Sequence, residues 1–102
     1  IDRVEITELT TEYRLEQNFP NPFNPSTTIE YYLPKPGSVK LEIYNTLGQL
    51  VNILVEANQN KGAYKVTWNG KDSQGNTLSS GVYFYRLKTN EYSNANKMLL
   101  LK

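Results

Sequence analysis

Four segments of this chain carry apolar side chains at every second position. That period is typical of β-strands that bury one face. Pro, Gly, Asn and Asp, which favour turns, are concentrated between these segments. The sequence therefore predicts an all-β domain, and the apolar strand faces are Ile29-Tyr31-Leu33, Val39-Leu41-Ile43, Tyr64-Val66-Trp68 and Tyr83-Tyr85-Leu87.

The last of these segments is apolar on both faces, because Val82 and Phe84 alternate with Tyr83, Tyr85 and Leu87. A strand that avoids water on both faces is expected in the middle of a structure. We therefore expect it to be central and covered on both sides. We also expect one shared core, formed by Trp68, Val66, Ile43, Leu41, Ile29 and Tyr83.

The connections between the strands have their own signatures. Residues 45–48 (Asn-Thr-Leu-Gly) predict a hairpin turn with Gly48 in the left-handed conformation. The alternation fails over residues 49–55, which predicts a bulge, and residues 56–62 are polar and suggest a loop. With a closing strand near residues 98–101, about seven short strands predict an antiparallel β-sandwich.

The N-terminal part differs from the rest in composition. We expect residues 1–17 to be a linker that ends in a short ordered lead, with a weak helix capped at residues 10–12 as the alternative, and residues 18–102 to form the sandwich. Three prolines between residues 20 and 25 exclude a helix there. Phe19 and Phe23 are expected to be buried and to attach this stretch to the domain. The chain begins with Ile rather than Met, so we expect it to be a piece of a longer protein.

Length and charge restrict the functions available. A chain of 102 residues suits one domain. With 11 basic and 10 acidic residues and no basic cluster, we expect no nucleic-acid partner. No apolar run approaches the roughly 20 residues that cross a bilayer, so we expect no membrane insertion. The chain has no Cys and no His, the residues that most often serve as metal ligands and general bases. We therefore expect no enzyme activity, cofactor or metal.

Acidic and aromatic side chains suggest two further kinds of site. Asp72 is the only carboxylate between residues 69 and 90, which is too few for calcium, so we expect it to cap its own loop. Glu30 and Glu42 are expected to point outward and be solvated. Tyr32 and Tyr44 are candidates for stacking on sugars, but we favour the reading in which tyrosines fill the core and keep their hydroxyls near the surface.

Ordered motifs cover the chain from residue 18 to its end: Asn18-Phe19-Pro20-Asn21-Pro22-Phe23-Asn24-Pro25, residues 41–51, Trp68-Asn69-Gly70-Lys71-Asp72 with Gly75, residues 80–87, and Lys97-Met98-Leu99-Leu100-Leu101-Lys102. Together they resemble the C-terminal sorting domain of the type IX (Por) secretion system, type A. A similar immunoglobulin-like fold occurs in the flagellar hook-capping protein. Asn45 stands where the family often has Asp, and Asn caps a turn equally well.

This resemblance implies an immunoglobulin-like sandwich that acts as an export signal. It implies an N-terminally fused cargo, an outer-membrane translocon and a sortase-like peptidase as partners, cleavage within or before residues 1–17, and a secreted or cell-surface location reached through the periplasm. The alternative is a non-catalytic carbohydrate-binding or spacer module of a secreted enzyme. The residues expected to be recognised are Gly48, Gly81, Tyr83, Lys97, Met98, Leu99, Leu100, Leu101 and Lys102.

Overall fold

A computed structural model describes residues 12–102, which form a sandwich of two antiparallel sheets. The strands are β1 (Arg14–Leu15), β2 (Thr27–Leu33), β3 (Gly37–Tyr44), β4 (Leu50–Gln59), β5 (Gly62–Trp68), β6 (Gly81–Lys88) and β7 (Ser93–Leu100). One sheet has the order β1-β2-β5, and the other has the order β4-β3-β6-β7. The predicted all-β fold is confirmed.

Among residues 12–102 the structure contains no helix suited to crossing a bilayer. The alternative of a helix capped at Thr10 and Thr11 falls on residues outside this range.

The core lies between the two sheets and is built from the alternating faces that the sequence predicts. Five of the six expected core side chains are buried, with Ile29, Leu41 and Ile43 fully inaccessible to water. Val66 is half-buried and packs against the cluster from β5, an edge strand. The fully assembled core comprises Phe23, Ile29, Tyr31, Leu33, Val39, Leu41, Ile43, Trp68, Tyr83, Tyr85, Leu87, Met98 and Leu100.

Trp68 fills the core at the end of β5. Its ring lies 5.7 Å from the ring of Phe23 and 5.6 Å from that of Tyr83, measured between centroids. Its indole Nε1 donates a hydrogen bond of 2.9 Å to the carbonyl oxygen of Lys71. The side chain therefore buries a large apolar surface without leaving its polar atom unpaired.

Strand β6 is central within its sheet, as its composition predicts, because β3 and β7 pair with its two edges. The expectation that both of its faces are covered is wrong. Tyr83, Tyr85 and Leu87 are buried, whereas Val82 and Phe84 on the opposite face are only half-buried. That face looks away from the sandwich, and within residues 12–102 no second layer of strands covers it.

Strand β4 is longer than its polar composition suggests. Residues 56–59, predicted to be a loop, continue the ladder along β3 as far as the pair Gly37 and Gln59. The side chains here are mostly exposed, so backbone pairing rather than apolar burial holds this part of the edge strand. The predicted bulge is confirmed by register shifts in this pair at Leu41/Glu42 and Ile43/Tyr44.

The two phenylalanines of the proline-rich stretch have opposite environments. Phe23 is buried, as expected, but Phe19 is 78% exposed, so that part of the prediction is wrong. The backbone of Phe19 pairs with Thr28 through hydrogen bonds of 3.0 and 2.9 Å. Thr28 lies on the outward face of β2, and partners in an antiparallel bridge project to the same side. The backbone of Phe19 is therefore attached to β2, while its ring remains exposed to water.

Replacing Trp68 with Ala should lower the free energy of unfolding by roughly 3–5 kcal/mol, the usual cost of removing a large aromatic side chain from a core. That is a large part of the approximately 5–15 kcal/mol of a typical domain. Urea denaturation followed by circular dichroism measures it. Thr67→Ala, at the neighbouring exposed position, is the control, and equal effects of the two substitutions would show that Trp68 is not a core residue.

Candidate functional site

Most of the predicted recognition residues lie at one end of the sandwich. Gly81 and Leu100 are paired residues of β6 and β7. Leu47, beside Gly48 in the hairpin, lines a surface hollow together with Gly81 and Tyr83. We call this end, comprising residues 45–49, 78–81 and 101–102, the distal end. Lys97 lies farther along β7, opposite Phe84.

The described chain begins at the other end of the sandwich. The ring of Tyr13 stacks on that of Tyr92 at a centroid distance of 4.9 Å. Tyr92 precedes β7, and Leu100 ends it at the distal end. A strand of eight residues separates these two positions, a span of about 26 Å at about 3.3 Å per residue.

The hairpin between β3 and β4 has the turn that the sequence predicts. Gly48 has a φ of +81° and donates its amide to the carbonyl oxygen of Asn45 at 3.0 Å. The side-chain oxygen Oδ1 of Asn45 accepts the amides of Leu47 and Gln49 at 2.9 and 3.0 Å. Asn45 therefore caps the turn, and Leu47 at its tip is 80% exposed.

Strand β7 is held by its side chains as well as its backbone. Met98 and Leu100 are buried in the core, whereas Lys97, Leu101 and Lys102 are exposed. The backbone of β7 pairs with β6 along one edge from Ser93 to Leu100. The amide of Lys102 donates to Ser80 Oγ at 2.9 Å. Of the predicted recognition residues in this strand, only the outward side chains are accessible to a partner.

The second edge of β7 is covered by residues of the N-terminal stretch. Phe23 donates its amide to the carbonyl of Leu99 and accepts the amide of Leu101, both at 3.0 Å. Asn21 Oδ1 accepts the amide of Leu99 at 3.0 Å, and Gln17 Nε2 donates to the carbonyl of Lys97 at 2.8 Å. We call residues 14–23 the lead segment. Because it occupies this edge, a partner peptide cannot add to β7 as a further strand.

A buried hydroxyl ties the same lead segment to β6. The hydroxyl of Tyr85 donates to the carbonyl of Glu16 at 2.6 Å and accepts the amide of Asn18 at 2.8 Å. It also accepts the side-chain amide of Asn96 on β7 at 3.2 Å. One donation and two acceptances satisfy the full capacity of a phenolic hydroxyl. Burial raises the pKa of Tyr85, so the proton that it donates is retained at neutral pH.

Asn18 and Thr27 complete this arrangement, which we call the Tyr85 network. Both are buried polar residues, 2% and 1% exposed. Asn18 Nδ2 donates to Thr27 Oγ1 at 2.9 Å and to the carbonyl of Pro20 at 3.2 Å, while the Thr27 hydroxyl donates to that carbonyl at 2.8 Å. The pattern of apolar residues does not predict this role. An Asn beside a proline-rich run, with a Thr at an inward strand position, was the available signal.

The loop between β5 and β6 is organised by Asp72, as expected. Its Oδ1 accepts the amides of Gln74 and Asn76, both at 2.9 Å. The hydrogen bond from the backbone of Asn76 is the largest of the effects that lower the pKa of Asp72. Among residues 12–102, no three acidic side chains cluster as a metal site would require.

The outward acid Glu42 is not solvated, contrary to expectation. It is 5% exposed and accepts a hydrogen bond of 2.8 Å from the hydroxyl of Tyr44. The guanidinium of Arg86 lies over the Tyr44 ring, 5.6 Å from its centroid. Because Arg86 occupies one face of the Tyr44 ring, Tyr44 is a poorer platform for a sugar. Burial is the main reason why the pKa of Tyr44 is raised. Glu30 is exposed, as predicted.

Replacing Tyr85 with Phe should lower the free energy of unfolding by about 1–3 kcal/mol, the cost of leaving buried partners without a hydrogen bond. The carbonyl of Glu16 and the amide of Asn18 are those partners. Tyr64→Phe is the matched control, because the Tyr64 hydroxyl bonds the carbonyl of Asn60 at an exposed position. Urea denaturation of both variants measures the difference, and equal destabilisation would contradict the special role of Tyr85.

The lowered pKa of Asp72 predicts a pH-dependent contribution to stability. A carboxylate with a depressed folded pKa stabilises the fold above its unfolded pKa and loses that contribution as the pH falls through its folded pKa. Asp72→Asn should therefore melt below the wild type at pH 7, and the difference should shrink as the pH falls below the ordinary value of 3.8. Thermal melts from pH 7 to pH 2 measure it. A difference that is constant with pH would contradict the assignment.

Comparison with known proteins places this domain in a family. The sequence profile of the FlgD Ig-like domain matches residues 24–93, more than half of the chain. No curated protein matches the chain significantly.

Solved structures share the fold. Dimeric latent PorU from Porphyromonas gingivalis is 24% identical, with a TM-score of 0.71 over 91% of this chain and 10% of its own. FlgD from P. aeruginosa is 25% identical, with a TM-score of 0.57 over 72% of this chain and 58% of its own. PorZ from Porphyromonas gingivalis, described as an essential surface component of the type-IX secretion system, is 20% identical, with a TM-score of 0.56 over 97% of this chain and 12% of its own.

The chain thus spans about a tenth of the length of PorU and PorZ and somewhat more than half of FlgD. At these identities the likeness to PorU and PorZ concerns the fold. The family match rests on the sequence itself and covers strands β2 to β6 in full. The chain belongs to the FlgD Ig-like domain family.

Proposed function

We propose that this domain is a C-terminal signal that directs a fused cargo protein across the outer membrane by the type IX secretion system. The observation that carries the proposal is the superposition of nearly the whole chain on small parts of two much longer proteins, PorU and PorZ. PorZ is described as a surface component of that system. A domain that recurs as a small part of much longer chains fits a signal that is carried by a fused cargo protein.

The arrangement of the two ends supports this proposal. Tyr13, near the start of the described residues, stacks on Tyr92, and the distal end lies at the other end of β7. A cargo joined to the N-terminal side is thereby kept away from residues 45–49, 78–81 and 101–102. The distal end remains accessible to an outer-membrane translocon while the cargo is attached.

The lead segment restricts where a sortase-like peptidase would separate the cargo. Residues Arg14 and Leu15 pair with β2, and Glu16 and Asn18 bond to Tyr85. A protease needs an extended and accessible backbone, which these bonded residues do not offer. We place the cut N-terminal to Arg14, so that the sandwich is released intact and the cargo reaches the cell surface or the medium.

The proposed role requires no catalysis and no cofactor. The chain has neither His nor Cys, and the carboxylate of Asp72 is engaged by its own loop. The second candidate, a carbohydrate-binding module, rests on the half-buried rings of Tyr32 and Tyr44. Arg86 already covers one face of Tyr44, so export is the function that the observations favour, with a structural spacer as a third reading.

Extending the chain beyond Lys102 tests the proposal. A short Gly-Ser segment added there leaves the buried Met98 and Leu100 and the bond of Lys102 to Ser80 in place. We expect the extended domain to melt like the wild type but to export a fused fluorescent passenger poorly, because the distal end is obstructed. The same segment inserted after Asn60, in the turn at the opposite end of the sandwich, is the control and should leave export intact.

Two results would contradict the proposal. If the unmodified domain fails to deliver the passenger to the medium of cells that carry the type IX system, the domain is not an export signal. If the isolated domain instead binds polysaccharide, and binding is lost in Tyr32→Ala or Tyr44→Ala, the carbohydrate-binding reading replaces it.

A further inference from the structure

The outer faces of the two sheets differ in character. The outer face of the three-stranded sheet is mainly polar, with Arg14, Thr28, Glu30, Lys65 and Thr67 among its residues. The four-stranded sheet carries a group of apolar side chains on its outer face and in the adjoining hairpin, which we call the outer patch. The outer patch consists of Tyr44, Leu47, Leu50, Val82, Phe84 and Leu99.

The register of the strands brings five of these side chains together, and Leu47 lines a surface hollow with Val82. Tyr44 pairs with Leu50 on one side and with Phe84 on the other, and residues paired across antiparallel strands project to the same face. Val82 pairs with Leu99 next to them. Leu47 and Leu50 are 80% and 48% exposed, and the other four members of the patch are half-buried.

Two basic side chains flank the outer patch. Lys97 pairs with Phe84, and Arg86 lies over the ring of Tyr44. Of the acids on the same face, Glu56 lies 3.6 Å from Lys40, and Glu42 is buried and is therefore not accessible to a partner. An apolar centre containing Tyr, Phe and Leu with a charged rim that includes Arg has the composition of a protein interface.

We infer that the outer patch binds a partner protein whose contact surface is apolar at its centre and carboxylate-rich at its rim. This inference rests on the proposed function, in which that partner belongs to the export machinery. The excess of basic side chains on the rim calls for acidic groups on the partner, since complementary charges guide association and like charges oppose it.

The same charges argue against a second copy of the chain. In a symmetric dimer the same surface faces itself, so Lys97 and Arg86 of one copy would approach those of the other around the apolar centre. A lipid surface is disfavoured by shape. Tyr44 and Phe84 lie half-buried in the sheet, so among the side chains of the patch only the two exposed leucines project far enough to enter an acyl layer.

Substitution of the exposed leucines tests the inference. Leu47→Ser combined with Leu50→Ser should reduce export of a fused passenger at least about tenfold, as the loss of central interface contacts does. Phe19→Ser is the matched control, because Phe19 is 78% exposed on the outer side of the other sheet. Export by the control should stay within about twofold of the wild type, a change too small for the loss of a central interface contact. Thermal melts should show that both proteins fold like the wild type.

A charge reversal tests the acidic rim independently and without removing apolar surface. Lys97→Glu should also reduce export, because it places a carboxylate against the carboxylates of the partner. Lys61→Glu, in the turn at the opposite end, is the control and should export normally. If the double serine variant were to unfold, the comparison of Lys97→Glu with Lys61→Glu would by itself show whether the outer patch is needed for export.

The outcomes separate the two levels of the proposal. A wild-type domain that exports nothing contradicts the proposed function itself. A wild type that exports normally, together with serine and Lys97→Glu variants that export equally well, overturns the outer patch and leaves the proposed function standing. If the wild type forms concentration-dependent dimers in sedimentation and the serine substitutions abolish them, the surface is a self-association site. If the wild type instead floats with vesicles of anionic phospholipid and the serine substitutions abolish flotation, the surface binds lipid.

Discussion

The hydroxyl of Tyr85 imposes the constraint on which the rest of this structure depends. It lies on an inward position of the central strand β6, where an unpaired polar group would cost free energy. Its partners are the backbone of Glu16 and Asn18 and the side chain of Asn96. The core can close around this ring only if the lead segment takes its observed path, which couples the start of the domain to its centre.

The lead segment consequently joins the two sheets. Its first residues pair with β2 in the three-stranded sheet, and its last residues cover the outer edge of β7 in the four-stranded sheet. Through Phe23 and Asn21 it bonds the backbone of Leu99 and Leu101. The closing strand is therefore paired on both edges, and a receptor of the folded domain contacts side chains and loops rather than a free strand edge.

The alternation of apolar residues was sufficient to predict the sandwich and the core, because burial of one strand face is a local pattern. The hairpin at Gly48 was predicted from the turn residues 45–48, which are an equally local signal. The predictions that were wrong concern residues whose structure is decided by backbone pairing with another strand rather than by their own composition. Polar residues 56–59 are a strand because they face β3 across the ladder, and Phe19 is exposed because it is registered with Thr28. Glu42 is buried at a position that pairs with Ile53 on β4 and with Arg86 on β6. The Tyr85 network joins residues 67 positions apart, so no local pattern contains it.

Amide hydrogen exchange tests most directly whether the lead segment holds β7. The amides of Leu99 and Leu101 donate to the lead segment rather than to β6. If the lead segment holds the closing strand, both amides should be protected to a degree close to that of the amides in the β6–β7 ladder. Exchange of Leu99 and Leu101 at the rate of an open strand edge, with the ladder itself protected, would contradict the account.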